Sequence, residues 1–194
     1  MTNKKIAEIL NKLQRSSLNN DKIKHQQDTI KRASTIGFLK FRGFGMSEII
    51  KDRLYLAGQD VANSFEQMQN YKITHILNLT SNIENLYETK IVYKRIKMYD
   101  SLDQDMSVHF GEAFEFIDKC LNMPNGRILV HCNAGVSRSA CIIIGYLMHK
   151  NHFDSYTSAY EHVKKCRPVI QPNPNFIQQL KKYENNNLNI NKKL

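Results

Sequence analysis

Between Arg127 and Ala140 the chain reads Arg-Ile-Leu-Val-His-Cys-Asn-Ala-Gly-Val-Ser-Arg-Ser-Ala, which sets Cys132, Gly135, Arg138 and Ser139 within eight residues. A thiolate is a strong nucleophile, and helix N-termini and nearby cations favour it over the thiol. A guanidinium such as that of Arg138 presents a planar fork that matches two oxygens of a phosphate. In phosphoryl transfer the charge spreads over the equatorial oxygens, so a ring of backbone N–H groups with one guanidinium is the stabiliser required. The implied chemistry is attack of Cys132 on phosphorus to give a cysteinyl-phosphate. Ser139 could donate a hydrogen bond to the sulfur and ease its departure when water attacks.

These side chains need a particular scaffold. Residues 128–130, Ile-Leu-Val, form the apolar run of a buried strand, and residues 139–148 form a helical run. A strand, a tight loop and a helix N-terminus make an anion site, where free N–H groups meet the positive end of the helix dipole. Successive N–H groups of the loop form a concave nest. Gly135 suits such a loop because it takes positive φ without a Cβ clash. Asn133, Ala134, Gly135, Val136, Ser137 and Arg138 are therefore read as the phosphate cradle. A bare Cys-x5-Arg match arises easily by chance, but the longer His-Cys-x2-Gly-x2-Arg-Ser string does not. The bland alternative is a buried structural cysteine ahead of an ordinary helix.

The string from His131 to Ser139 resembles the signature loop of the cysteine-dependent protein phosphatases, in the form of the dual-specificity phosphatases. Further stretches agree: Ile50-Lys-Asp-Arg-Leu-Tyr-Leu-Ala-Gly58, Ile73-Thr-His-Ile-Leu-Asn-Leu79 and Arg167-Pro-Val-Ile-Gln-Pro-Asn-Pro-Asn-Phe176. The resemblance runs over residues 46–184, and it looks closest to the small atypical members associated with stress-activated kinase pathways. It implies a central, mostly parallel sheet of about five strands, and hydrolysis of phosphotyrosine and phosphoserine or phosphothreonine without cofactor or metal.

The reaction also needs a general acid for the leaving oxygen, a contribution of typically about 10²–10⁴-fold. In the family this is the Asp just after a strand, and the matching residue is Asp100. Asp103 and Asp105 are rivals, although Asp105 better fits the cap of the next helix. His131 is read as holding the loop rather than moving protons. The family's Pro-Asn pair that braces the loop matches Pro172-Asn173, where Asn173 could equally cap the last helix.

Other elements follow from pattern. Residues 53–58, 73–80 and 91–98 read as strands; 60–71, 84–90, 108–123, 155–166 and 173–184 read as helices. Phe110, Ala113, Phe114, Ile117 and Leu121 form the apolar stripe of one helix. Alternating strands and helices imply an α/β sheet with helices on both faces, and a site outside the strand carboxyl ends.

Length and charge bound the rest. At 194 residues one domain is the default, divided here into a basic extension (1–45), a catalytic domain (46–185) and a polar tail (186–194). No apolar run is long enough to span a membrane, and no signal-peptide core follows Met1. Four cysteines at 120, 132, 141 and 166 show no metal-ligand spacing, so a reducing compartment is expected, the cytoplasm with the nucleus as an alternative. The net charge is +10, and residues 1–45 hold ten Lys or Arg against three acids. No nucleic-acid motif accompanies that charge, so nucleic acid is not an expected partner. Lys31-Arg32 followed by Ile36 and Phe38 resembles docking peptides that mitogen-activated kinases recognise. The expected partner is a phosphoprotein, with a MAP kinase or a kinase upstream of one as the finer expectation. Two other readings stand beside it: a phosphatase of a non-protein phosphate, and a kinase-cascade scaffold with incidental catalysis. The loop interior carries no Lys to meet extra phosphates, which favours protein substrates.

Overall fold

The buried strands of this chain are apolar on both sides, and that decides the architecture. In β2 (Leu54–Ala57), β3 (His75–Asn78) and β5 (Ile128–His131) every residue is buried. Leu54, Leu56, Leu77, Ile128 and Val130 enter one apolar cluster, while Tyr55, Ala57, Ile76 and Leu129 enter another on the opposite face. A strand buried on both faces belongs inside a parallel sheet covered by helices. The computed structural model describes residues 45–191, with side chains to 185. It shows a five-stranded sheet in the order β1-β2-β5-β3-β4. The pairs β2–β5, β5–β3 and β3–β4 (Val92–Arg95) are parallel, and only β1 (Ser47–Ile50) is antiparallel to its neighbour.

The short helices α1 (Gln59–Ala62) and α2 (Phe65–Asn70) supply Val61, Ala62 and Met68 to the smaller cluster. The other face is covered by α3 (Phe110–Leu121), α4 (Arg138–His149), α5 (Tyr156–Cys166) and α6 (Pro174–Asn191). A 3-10 turn, Ser107–His109, leads into α3. The expected stripe on α3 faces the core, with Leu121 partly buried at its edge. The α/β class, the mostly parallel sheet and helices on both faces match the sequence expectation. Among the described residues no helix is long and apolar enough to cross a membrane.

Four local expectations need correction. The helix over 60–71 is two helices, because Ser64 breaks it: its Oγ accepts from the Gln67 N–H at 3.4 Å and caps α2. The first of them begins at Gln59, so Asp60, the expected start, lies inside its first turn. Residues 84–90 form turns, not a helix. There the Asn78 amide donates to the Ile83 carbonyl at 2.9 Å and to Asn85 Oδ1 at 3.0 Å, and Thr80 Oγ1 accepts from the Ile83 N–H at 3.1 Å. Side chains that bind neighbouring backbone in this way compete with helix formation. The last helix continues through Asn191, past the expected end at Glu184. The reading of residues 1–45 as a basic extension with a docking segment falls almost wholly outside the described residues.

Candidate active site

Strand β5 is the middle strand, flanked by β2 and β3 with Ala57 and Asn78 in register beside His131. Cys132 therefore leaves the sheet at its centre, at the carboxyl end. The next six residues curl back to start α4, and the sequence string is a loop closed on one point.

That loop turns its carbonyls outward. Asn133 O accepts from Gln59 N–H at 2.9 Å and Val136 O from Gln171 N–H at 3.0 Å. Arg167, wholly buried, donates from Nε to Gly135 O at 2.7 Å and from Nη2 to Ala134 O at 3.2 Å. Its Nη1 reaches Gly45 O and Ser47 Oγ. Among the described residues nothing accepts from the backbone N–H groups of 133–137. With the carbonyls held outside, those donors face the interior of the loop, the nest arrangement that binds anions. Gly135 has φ +65°, and a Cβ there would stand 2.5 Å from the Ala57 carbonyl oxygen. Only glycine allows the loop to lie this close to the end of β2.

The side chains complete the cradle. Cys132 Sγ is 3.2 Å from Ser139 Oγ, and both residues are buried. Arg138 Nη1 donates to the carbonyls of Leu79 (3.3 Å) and Met98 (3.1 Å), and Nη2 to Asn133 Oδ1 (3.2 Å). The ends of the paths leaving β3 and β4 thus grip the guanidinium. Its Nε is buried and has no partner among the described residues. A buried donor without a partner is costly, and a bound anion would satisfy it. Ser137, at the N-cap of α4, does not use its side chain to cap, so the first N–H groups of a twelve-residue helix are left for a ligand.

Asp100 arrives from the loop after β4. Its Oδ1 accepts from Ser137 Oγ at 2.9 Å and from Asn173 Nδ2 at 3.4 Å, so the carboxylate is held over the rim of the cradle. Its rivals are placed elsewhere. Asp105 Oδ1 accepts from the N–H (2.9 Å) and Oγ (2.6 Å) of Ser107, the capping role weighed for it, and those bonds hold its carboxyl low. Asp103 is fully exposed and held low by Ser101. Asn173 does both things considered for it. Its N–H donates to Ser137 Oγ in the signature loop at 3.1 Å, and its Oδ1 accepts from Asn175 N–H at 2.9 Å at the start of α6; its Nδ2 also donates to Ser101 O at 3.0 Å.

Burial sorts the titratable groups. It pulls His131 down to about 4, so the imidazole is neutral at pH 7. Its Nδ1–H donates to the Cys132 carbonyl at 3.3 Å, since a carbonyl can only accept. Burial pushes the thiols of Cys141, Cys120 and Cys166 up, so these stay protonated. Cys132 stands at the end of β5, where the loop that carries the cradle N–H groups and Arg138 begins. The structure thus brings together every expected site residue: Cys132, Arg138, Ser139 and Asp100, with 133–137 as the cradle. Sequence reasoning missed Arg167 and the Ser137 hydroxyl. An arginine before a proline at a helix end carries no local sign of its partners, 32–122 residues away.

Comparison with known proteins agrees with this geometry. The family model for the dual specificity phosphatase catalytic domain matches residues 54–186. The chain is 42% identical over 136 residues to mouse dual specificity protein phosphatase 19, covering 70% of this chain and 61% of that one. It is 34% identical over 165 residues to dual specificity protein phosphatase 1 of Arabidopsis thaliana, covering 85% and 82%. The crystal structure of DUSP15 superposes with a TM-score of 0.68 at 34% identity, over 73% of this chain and 88% of the other.

Proposed function

Because this chain belongs to the dual-specificity phosphatase family, we propose that it hydrolyses phosphotyrosine and phosphoserine or phosphothreonine in proteins through a cysteinyl-phosphate. The observation that carries this reading is the buried, unpartnered Nε of Arg138 inside a loop whose carbonyls all point away. A phosphoryl group supplies the acceptors which that cradle lacks.

The mechanism follows from position. The Cys132 thiolate attacks phosphorus in line, forming S–P as the P–O bond to the leaving group breaks. Arg138 and the N–H groups of 133–138 hold the equatorial oxygens. Asp100 gives its proton to the departing oxygen. Water then attacks phosphorus and passes its proton to the Asp100 carboxylate, and the S–P bond breaks to return the thiolate. Ser139 donates to that sulfur as charge returns. Both steps balance without a metal.

The substrate class is a phosphoprotein. The loop interior, Asn133 to Ser137, adds no cation for a second phosphate, which argues against inositol phosphates. A mitogen-activated kinase, or a kinase above one, is the proposed substrate protein. Support for it is the basic-then-apolar segment 31–38 of the sequence. The chain aligns with 61% of the mouse relative's length. A reducing setting, the cytoplasm, is the proposed location because the nucleophile is a thiol.

The test is hydrolysis of an aryl phosphate in EDTA with reductant, wild type against Cys132→Ser. Metal-free turnover should vanish in the variant while the fold is kept. Substantial activity in the variant would refute the mechanism, and inactivity of both proteins would favour a phosphate-binding scaffold.

A further inference from the structure

The loop that carries Asp100 is largely exposed, yet both ends of its backbone are held by side-chain amides. Gln179 Oε1 accepts from the N–H of Met106 at 2.8 Å and of Ser107 at 3.3 Å, while its Nε2 donates to Gln104 O at 2.9 Å. Asn175 Nδ2 donates to the same Gln104 carbonyl at 2.9 Å. Gln104 in turn accepts from the N–H of Tyr99 at 3.2 Å through Oε1 and donates to Asp105 O at 2.8 Å through Nε2. Each glutamine faces N–H groups on one side and a carbonyl on the other, so only one amide orientation satisfies it. The chain of bonds ends on Tyr99, the residue before Asp100.

The support beneath the relay is rigid. Gln179 and Asn175 each precede a fully buried residue of α6, Leu180 and Phe176, which anchor that helix in the core. Met106, where the loop rejoins the body, is also fully buried. We infer that Gln179 is a positioning residue for the acid: with Gln104 as relay, it holds the Asp100 loop in its proton-donating conformation before substrate binds. This rests on Asp100 being the acid. Asn173 and Ser137 orient the carboxylate itself, whereas Gln179 and Gln104 fix the backbone from which it hangs. A side chain on an anchored helix sets position more tightly than a loop can set its own, and small misplacements of catalytic groups cost rate steeply. Gln104, Asn175 and Gln179 also line a cavity of about 440 Å³ beside the loop, so a changed side chain there opens no hole in the core.

The test uses the full chain and two substrates. Phenyl phosphate needs its leaving oxygen protonated; 2,4-dinitrophenyl phosphate does not. In Gln179→Leu and in Gln104→Ala, the ratio of kcat/KM for the dinitrophenyl to the phenyl ester, which reports only the S–P-forming step, should rise about tenfold, with inhibition by inorganic phosphate little changed. The basic limb of the phenyl phosphate pH profile should flatten. Asp100→Asn should raise the same ratio further, and adding Gln179→Leu to it should change the ratio no more. Equal loss on both esters would mean a merely structural role and would overturn the inference, as would an unchanged ratio beside a raised one in Asp100→Asn. An unchanged ratio in Asp100→Asn would remove the acid assignment itself. Gln104→Ala decides the matter if Gln179→Leu does not fold.

Discussion

The loop from Cys132 to Arg138 and the loop from Tyr99 to Ser107 meet through one hydrogen bond, from Ser137 Oγ to Asp100, and they are held by different means. The first is mostly buried, closed by the sheet and by a buried arginine that grips two of its carbonyls. The second is mostly exposed and hangs from two amides of α6, from Asn173 just ahead of that helix, and from one amide of its own. A cradle for charge must be rigid before the charge arrives, since preorganisation is what makes its dipoles effective. A proton donor needs only correct placement, which a few polar contacts on an anchored helix supply. Damage to the first loop should therefore cost binding and stability together, and damage to the second should cost kcat alone.

The sharpest separation comes from Asp100→Asn. It should lower kcat on phenyl phosphate by about 10²–10⁴-fold while the melting temperature and inhibition by inorganic phosphate stay close to wild type. Normal turnover would move the acid role to Asp103 or Asp105, and weakened phosphate binding would erase the contrast between the loops.

Arg167→Leu tests the other side. It leaves the buried Gly135 carbonyl without its donor, at about 1–3 kcal/mol, and removes the part-buried bond to the Ala134 carbonyl, at about 1 kcal/mol, so a loss of roughly 2–4 kcal/mol is expected in urea titration. Phosphate inhibition should weaken in parallel. Stability lost with phosphate affinity intact would show that the loop holds its shape without Arg167.

The smallest effect concerns pH. Folded His131 takes up a proton near pH 4, whereas in the unfolded chain it does so near 6.5. Between these values the unfolded state binds the extra proton. The stabilisation is thus complete above pH 6.5 and is lost progressively as pH falls to about 4, a change of about 3 kcal/mol. Burial lowers His75 in the same direction, so the check is a comparison: His131→Asn should flatten the pH dependence of the urea midpoint between pH 7 and 4. An unchanged slope would mean that the imidazole beside Cys132 is hydrated.

Legibility from sequence divided along the same line. Cys132, Gly135, Arg138 and Ser139 could be read because one turn of chain brings them together, so spacing encodes contact. Asp100 lies 32 residues away and was reached through the resemblance to a family. Four strands announced themselves, three as apolar runs and that over 91–98 by its alternation. The fifth, Ser47–Ile50, did not: it is a short edge strand with an irregular register between Glu48 and Ile50, held partly by His162 donating to the Ile49 carbonyl at 2.9 Å. The helix expected over 84–90 failed because the competing polar contacts come from Asn78 and Thr80, which lie outside that window.

Local order therefore determined the nucleophile, its phosphate cradle, the α/β class and most element positions, since each depends on contacts within a few residues. Arg167 beneath the loop, the hydroxyl of Ser137 turned toward Asp100, and the amide relay from Gln179 to Tyr99 were decided only by the tertiary structure. They join residues 32–122 or 73–75 positions apart across the carboxyl edge of the sheet, or in the case of Ser137 and Asp100, 37 apart. No periodicity carries such pairings, because the chain meets itself there only after the core has packed.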